Sequence, residues 1–297
     1  MDLNAVLSLA PGQLLRWHPV EKGWSGEKKY YIETDIGKYL LRLSERPQQD
    51  AFDSIRRAAE TGIRMPQPIA CGCCEAGAYL LLTWVEGIDA ESALPNLPRA
   101  TQYQLGWQAG QILQQLHSIP APADAIPWED RFNAKIDRKL AAYTACPLKY
   151  DNDAPVLAYL AANRHLLRGR PQSFHHGDYH CGNLVIDGDR VGVIDFNRKD
   201  HGDPWEEFNR IVWDVAASPD FAAGRVDGYF DGAVPESFWP LLALYIASNT
   251  LSSLPWSIPF GEGEVETMRR QMADVMAWYD NFRNPVPRWY RERVRDE

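Results

Sequence analysis

Nowhere in this chain do eighteen consecutive apolar residues occur, so no stretch has the length of a membrane-spanning helix. Cysteine is scarce too. Five thiols cannot all pair, and Cys71, Cys73 and Cys74 crowd together without a second ligand cluster, which argues against both a disulfide framework and a zinc site. Positive charge is in short supply: 31 Lys and Arg face 40 Asp and Glu, a net charge of -9. A nucleic-acid partner would ask for a basic stripe to neutralise phosphates, so that class is set aside. The acid surplus leans towards cationic partners, although it serves solubility equally well. Internal repeats and low-complexity linkers are absent. The start, MDLNAVLSLAPGQLLRW, lacks a basic segment leading into a long apolar run, so the expectation is a soluble, unexported protein with reduced thiols, in the cytoplasm and not on a membrane.

What the chain does hold is apolar material for sizeable cores, 45% of 297 residues with 11 Trp, at a length better suited to two lobes than to one core. KKYYIETDIGKYLLRLS alternates on both sides of Asp35-Ile36-Gly37 and predicts an antiparallel hairpin. AYLLLTWVEG predicts a further strand, and DAFDSIRRAAETGI between them a helix that stops at Gly62. After Gly87 the periodicity becomes helical, in TQYQLGWQAGQILQQLHSI, RFNAKIDRKLAAYTA and APVLAYLAANRHLL, and the tail from Pro204 is helical again. The predicted division is residues 1–84, a small sheet with one helix, and residues 85–297, mainly helical.

One stretch breaks the helical run: HHGDYHCGNLVIDGDRVGVIDF, residues 175–196. A polar loop enters a hairpin with Asp187-Gly188-Asp189 at its tip, and the hairpin ends at Asp195. Asn183 follows Asp178 by five residues and Asp195 follows Asn183 by twelve. The fold-back of a hairpin brings the far Asp to the near Asn, where their oxygens suit a hard cation, while an Asp at the loop start can accept a proton from a hydroxyl. Phosphoryl transfer needs that combination, and D-x-x-x-x-N is also the spacing of a kinase catalytic loop.

HGDYHCGN followed by GVIDF resembles the aminoglycoside phosphotransferase family of small-molecule kinases. The resemblance spans roughly residues 20 to 215. It implies a bilobal protein-kinase-like fold of the α+β class, with the nucleotide on the N-terminal lobe and the acceptor on the C-terminal one. Asp178 would be the catalytic base, Asn183 and Asp195 would hold Mg2+, and ATP or GTP would be the donor. His176 would fix the loop backbone, with Asp203 and Glu207 of the segment DHGDPWEEF as scaffold. Asp203-Pro204 is also a helix start on its own chemistry. In GWSGEKKYYI, Gly23, Ser25 and Gly26 resemble the nucleotide-positioning loop, since glycine lets backbone N–H groups approach phosphates.

The lysine that this family carries on the next strand is replaced at the aligned position by Arg42, whose planar fork differs from an ammonium. Lys38 reads as a solvated residue. Asp50 and Asp53 are the nearest acids to orient the base at position 42, with Asp53 preferred. The Thr83 carbonyl and Val85 N–H would meet the adenine edge. For the acceptor, Asp214, Asp220, Asp227, Asp231, Glu262 and Glu264 beside Trp213, Trp239 and Trp256 would suit a small polyamine sugar, with His180 at the mouth or bonded within its own loop. These acids and Trp residues equally suit solvated faces and core. An aminoglycoside-like antibiotic, hence antibiotic resistance, is the first acceptor; a metabolic alcohol such as choline, homoserine or a sugar is the alternative, as is a catalytically silent binding protein. Either a monomer or a dimer is compatible with the chain.

Overall fold

A computed structural model describes residues 7–21, 27–75 and 77–296, and the chain divides into two compact units. The first unit comprises residues up to 89 together with 183–199; the second comprises 90–182 and 200 onward.

In the first unit, β1 (Leu14–Pro19), β2 (Lys28–Thr34), β3 (Lys38–Ser44), β4 (Pro68–Cys74) and β5 (Gly77–Thr83) form an antiparallel sheet of order β1-β2-β3-β5-β4. The predicted hairpin is β2–β3, with Lys29 directly opposite Arg42. The two strands that the sequence pattern does not announce are the sheet's edges. All six residues of β1 are exposed, so no alternation marks it, and β4 is PIACGCC, whose Pro and Gly are poor strand formers. Ile32, Leu41 and Leu81 form the centre of the core on one face. Helix α1 (Gln49–Ala59) packs on β4 and ends just before Gly62, whose φ of +79° stops it as predicted.

The boundary of this unit differs from the expected 84/85. β6 (Ile88–Asp89) pairs with β8 (Leu184–Asp187), and β8 with β9 (Arg190–Val193), so backbone hydrogen bonds tie the later hairpin and residues 85–89 into the first unit. Spacing along the chain does not disclose a pairing between segments so far apart.

The second unit holds the predicted long helices, α2 (Arg99–His117), α3 (Trp128–Ala145) and α4 (Ala154–Asn163), then α5 (Ile211–Ala217), α6 (Pro219–Tyr229), α7 (Phe238–Ser257), α8 (Glu262–Trp278) and α9 (Arg288–Asp296). Two short strands, β7 (Ser173–His175) and β10 (Asp200–Gly202), pair antiparallel. Among the described residues no helix is long and apolar enough to cross a membrane. The tightest packing joins α2 to α6. A Cβ on Gly110 would lie 2.2 Å from the Arg225 carbonyl oxygen, and one on Gly228 would lie 2.1 Å from that of Trp107. Glycine at these points lets the two backbones touch.

Candidate active site

The loop 176–182 leaves β7, a strand buried along its whole length, and is gripped by two acidic anchors of the second unit. Glu207 accepts the backbone N–H groups of His176 and Gly177, each at 2.7 Å. Burial alone would raise its carboxyl; the hydrogen bond with His117 and the nearby His175 outweigh that and bring it to about 2. Asp214 accepts the N–H of Cys181 at 2.7 Å. Between the anchors, the Tyr179 hydroxyl donates to the Ala109 carbonyl at 2.7 Å. A loop with this many short side-chain contacts is preorganised before any ligand arrives.

His176 is fully buried, and its Nδ1 accepts the N–H of Asp178 at 3.3 Å. The Asp178 carboxylate stays about one-fifth exposed, with Oδ1 3.2 Å from Nε of Arg210 and 3.8 Å from Nε2 of His180. His180 turns Nδ1 to the Gly182 N–H at 3.1 Å, so it is bonded within its loop, and its ring lies 6.2 Å from that of half-buried Trp213. Asp203 caps the turn that follows it by accepting the Trp205 N–H at 3.0 Å, and Arg170 binds it bidentately at 2.6 and 2.9 Å.

Asp214 is a correction. Expected in an acceptor pocket, it is wholly buried, ion-paired with the equally buried Arg225 and bonded to the backbone of the 176–182 loop. A buried charge needs a partner, and Asp214 already has one. Trp256 packs on Phe260 at the end of α7, with ring centroids 4.8 Å apart. Other acids of the expected pocket are likewise engaged: Asp220 by Arg99, and Asp227 by the hydroxyls of Tyr103 and Tyr290.

In the first unit, β8 and β9 turn at Gly188 and bring the Ile194 N–H to within 3.0 Å of the Asn183 carbonyl, so the hairpin returns to its starting point as the spacing predicts. Asp195 comes next with φ 64° and ψ 64°. Aspartate tolerates this left-handed conformation better than most side chains, and Asp231, Asp280, Asn281 and Phe282 also have positive φ; here it turns the chain sharply at the end of the hairpin. Its carboxylate is partly exposed, and Nζ of Lys29 stands 3.5 Å away.

Lys29 escapes sequence reasoning, which follows the aligned position to Arg42. Both lie on one face of the sheet because they are directly opposed across β2–β3. They differ in partner. Arg42 is buried and binds Glu27 through Nε at 2.9 Å and Nη2 at 2.6 Å, so its guanidinium is occupied by a carboxylate of its own strand neighbourhood. Neither expected acid orients it. Asp53 bonds Arg56 and Gln49 on an exposed helix face, and Asp50 pairs with Lys199. Lys38 pairs at the surface with Glu86. Gly23, Ser25 and Gly26 lie outside the described residues. Thr83 closes the ladder, its Oγ1 accepting the Gln67 N–H at 2.8 Å, and the half-buried Val85 lies just beyond it.

Asn183 and Asp195 carry oxygen donors of the hard type magnesium takes, and that ion usually completes its shell with water and substrate phosphate. Among the described residues no group of three or more His, Cys, Asp or Glu could hold a metal.

Comparison with known proteins agrees with this architecture. A sequence model of the phosphotransferase enzyme family (APH) matches residues 16–239. A homoserine kinase of Methylobacillus flagellatus is 26% identical over 235 residues, covering 74% of this chain and 70% of its own. Among solved structures, a choline/ethanolamine kinase family protein from Mesorhizobium loti superposes with a TM-score of 0.69 at 17% identity, covering 98% of both chains. A thermostable mutant of aminoglycoside phosphotransferase APH(4)-Ia, in complex with ADP and hygromycin B, gives 0.68 at 16% identity, covering 93% of this chain and 98% of the other. These two share the kinase-like fold: an antiparallel N-terminal sheet followed by a larger helical part.

Proposed function

This chain belongs to the phosphotransferase enzyme family and is a small-molecule kinase, and from that premise we propose that it moves the γ-phosphoryl group of ATP or GTP to a hydroxyl of a small acceptor. One observation carries the reading: Asp195, in its left-handed conformation at the end of the returning hairpin, has the Lys29 ammonium 3.5 Å from its carboxylate. Lys29 supplies positive charge for donor phosphates, and Asn183 and Asp195 supply oxygens for magnesium, which when bound offsets charge on those phosphates. Asp178 orients the acceptor hydroxyl and takes its proton, held for that task by Arg210 and by the loop contacts of His176 and Glu207. Thr83 and Val85 take the adenine edge. Arg42 acts through Glu27 as a brace of the sheet.

An aminoglycoside-like antibiotic fits the overall acid surplus, but several acids expected to receive it are already engaged within the second unit. A metabolic alcohol, such as the homoserine or choline named for relatives, fits the fold equally well. Magnesium-dependent binding of ATP and GTP, followed by nucleotide consumption with each acceptor type, separates these readings. Binding with no acceptor-dependent turnover would favour a silent kinase fold.

A second expectation concerns the cation. Lys29→Met raises the nucleotide KM or lowers kcat by about tenfold or more, as the loss of a charge-assisted phosphate contact predicts. Arg42→Ala acts first on the denaturation midpoint, because it removes a buried guanidinium and leaves the partly buried Glu27 carboxylate without its partner. Normal kinetics in the Lys29 variant would return the role to Arg42.

A further inference from the structure

Resting on the kinase reading just given, we propose that Glu91 selects the acceptor: its carboxylate receives a positively charged group of the molecule whose hydroxyl Asp178 holds, so the acceptor is an amino alcohol. Glu91 stands on the single helical turn Ala90–Ala93, which packs on α5, the helix that carries Trp213 and Asp214. That seat places it at the end of the 176–182 loop, within the second unit. A Cβ on Gly182 would lie 3.6 Å from Oε2 of Glu91, and 2.7 and 3.0 Å from Cε1 and Nδ1 of His180, so the carboxylate and the imidazole border the same point of the loop. Glycine at 182 lets the imidazole fold that closely onto the backbone. His180 continues the row to Asp178. Its Nδ1 accepts the Gly182 N–H at 3.1 Å, which leaves the proton of the neutral ring on Nε2, and Nε2 stands 3.8 Å from Oδ1 of Asp178. The ring of half-buried Trp213 lies 6.2 Å from that of His180 and flanks the row with an aromatic surface.

The other carboxylates that touch this loop are matched. Asp178 has Arg210 at 3.2 Å, Asp214 has Arg225, and Glu207 holds two backbone N–H groups and His117. Glu91 is the one left over: it is exposed and, among the described residues, takes part in no hydrogen bond or ion pair. Its charge is felt inside the loop as well, where the pKa of the buried Cys181 thiol is raised first by burial and then by Asp214 and Glu91. The loop therefore presents one uncompensated negative charge, separated from Asp178 by the ring of His180. An acceptor ammonium supplies the missing counter-charge, with an ion pair to Glu91 and the face of Trp213 beside it. A carboxylate would meet a like charge there, and a neutral polyol would leave Glu91 as it is. The charge at the loop thus selects a cationic alcohol over a hydroxy acid or a plain sugar.

The deciding experiment uses the full chain with magnesium and either ATP or GTP. Nucleotide binding and slow hydrolysis by water are measured first, then acceleration by choline, 3-aminopropan-1-ol and 2-deoxystreptamine against glycerol and D-glycerate. The expected result is acceleration by the cationic alcohols alone, with a KM that rises with ionic strength. Glu91→Gln should raise that KM about tenfold or more with a smaller change in kcat, and should remove most of its salt dependence. Glu91→Asp should recover part of the loss. Because Glu91 is exposed, the thermal midpoint of Glu91→Gln should stay at that of the parent, which separates lost recognition from a lost fold. Nucleotide bound and hydrolysed, with no acceleration by any cation or with equal acceleration by glycerol or D-glycerate, overturns the assignment and leaves the kinase reading intact; so does an unchanged KM in Glu91→Gln. Failure to bind nucleotide overturns the kinase reading itself and this assignment with it.

Discussion

Asp178→Asn is expected to lower kcat by roughly 10²- to 10⁴-fold, the usual range for lost general-base assistance, while nucleotide Kd hardly changes. The substitution keeps the shape of the side chain and leaves the loop anchors at Glu207 and Asp214 intact, so the fold should survive. What disappears is a negative charge aimed by the Arg210 guanidinium. Because phosphoryl transfer has a loose transition state with little proton removal, part of the loss will reflect a misplaced hydroxyl rather than missing basicity. Measuring kcat and nucleotide Kd together decides the matter. Near-normal kcat rejects Asp178 as the base, and simultaneous collapse of binding and of the circular dichroism spectrum makes it a structural residue.

The second large effect belongs to Asp195. Asp195→Ala should reduce turnover on the order of 10³-fold or more, equivalent to several kcal/mol, and weaken magnesium-dependent nucleotide binding at the same time. It also leaves the Lys29 ammonium without its partner. Alanine is no more at ease than aspartate at φ 64°, so Asp195→Gly is the informative companion: it removes the carboxylate but relaxes the backbone. Equal losses in both variants, with a more stable fold for glycine, assign the effect to the carboxylate. Unchanged nucleotide affinity in magnesium for either variant removes Asp195 from the metal site.

Much of this arrangement was legible from the chain. Alternation exposed β2 and β3, a short apolar run exposed β5, and helical periodicity exposed α1 to α4. The loop and hairpin from His176 to Asp195 were legible because tight turns impose short, fixed spacings. What escaped notice depends on contacts between distant segments. β1 and β4 are edges with no buried alternation. Lys29 becomes meaningful only once the register sets it opposite Arg42, and Glu27 displaces Asp53 as the partner of Arg42 for the same reason. Asp214 read as one acid among many in a helical tail, since no local pattern distinguishes a sealed ion pair from a solvated carboxylate. Arg210 needed the turn at 204–210 to be packed on the loop before its contact with Asp178 could be read.

The glycine-lined contact between α2 and α6 bears on how such an enzyme can change. Arg225 sits on α6, holds Asp214, and through it the backbone of the 176–182 loop at Cys181. Because α6 is seated against α2 by main-chain atoms, at Gly110 and Gly228 among others, the depth of that seat is insensitive to which side chains surround it. Substitutions at the side chains that surround these glycines should therefore leave the depth of the seat, and with it the hold of Arg225 on Asp214, unchanged. A side chain at either glycine, by contrast, would reach the loop backbone at Cys181 through Arg225 and Asp214.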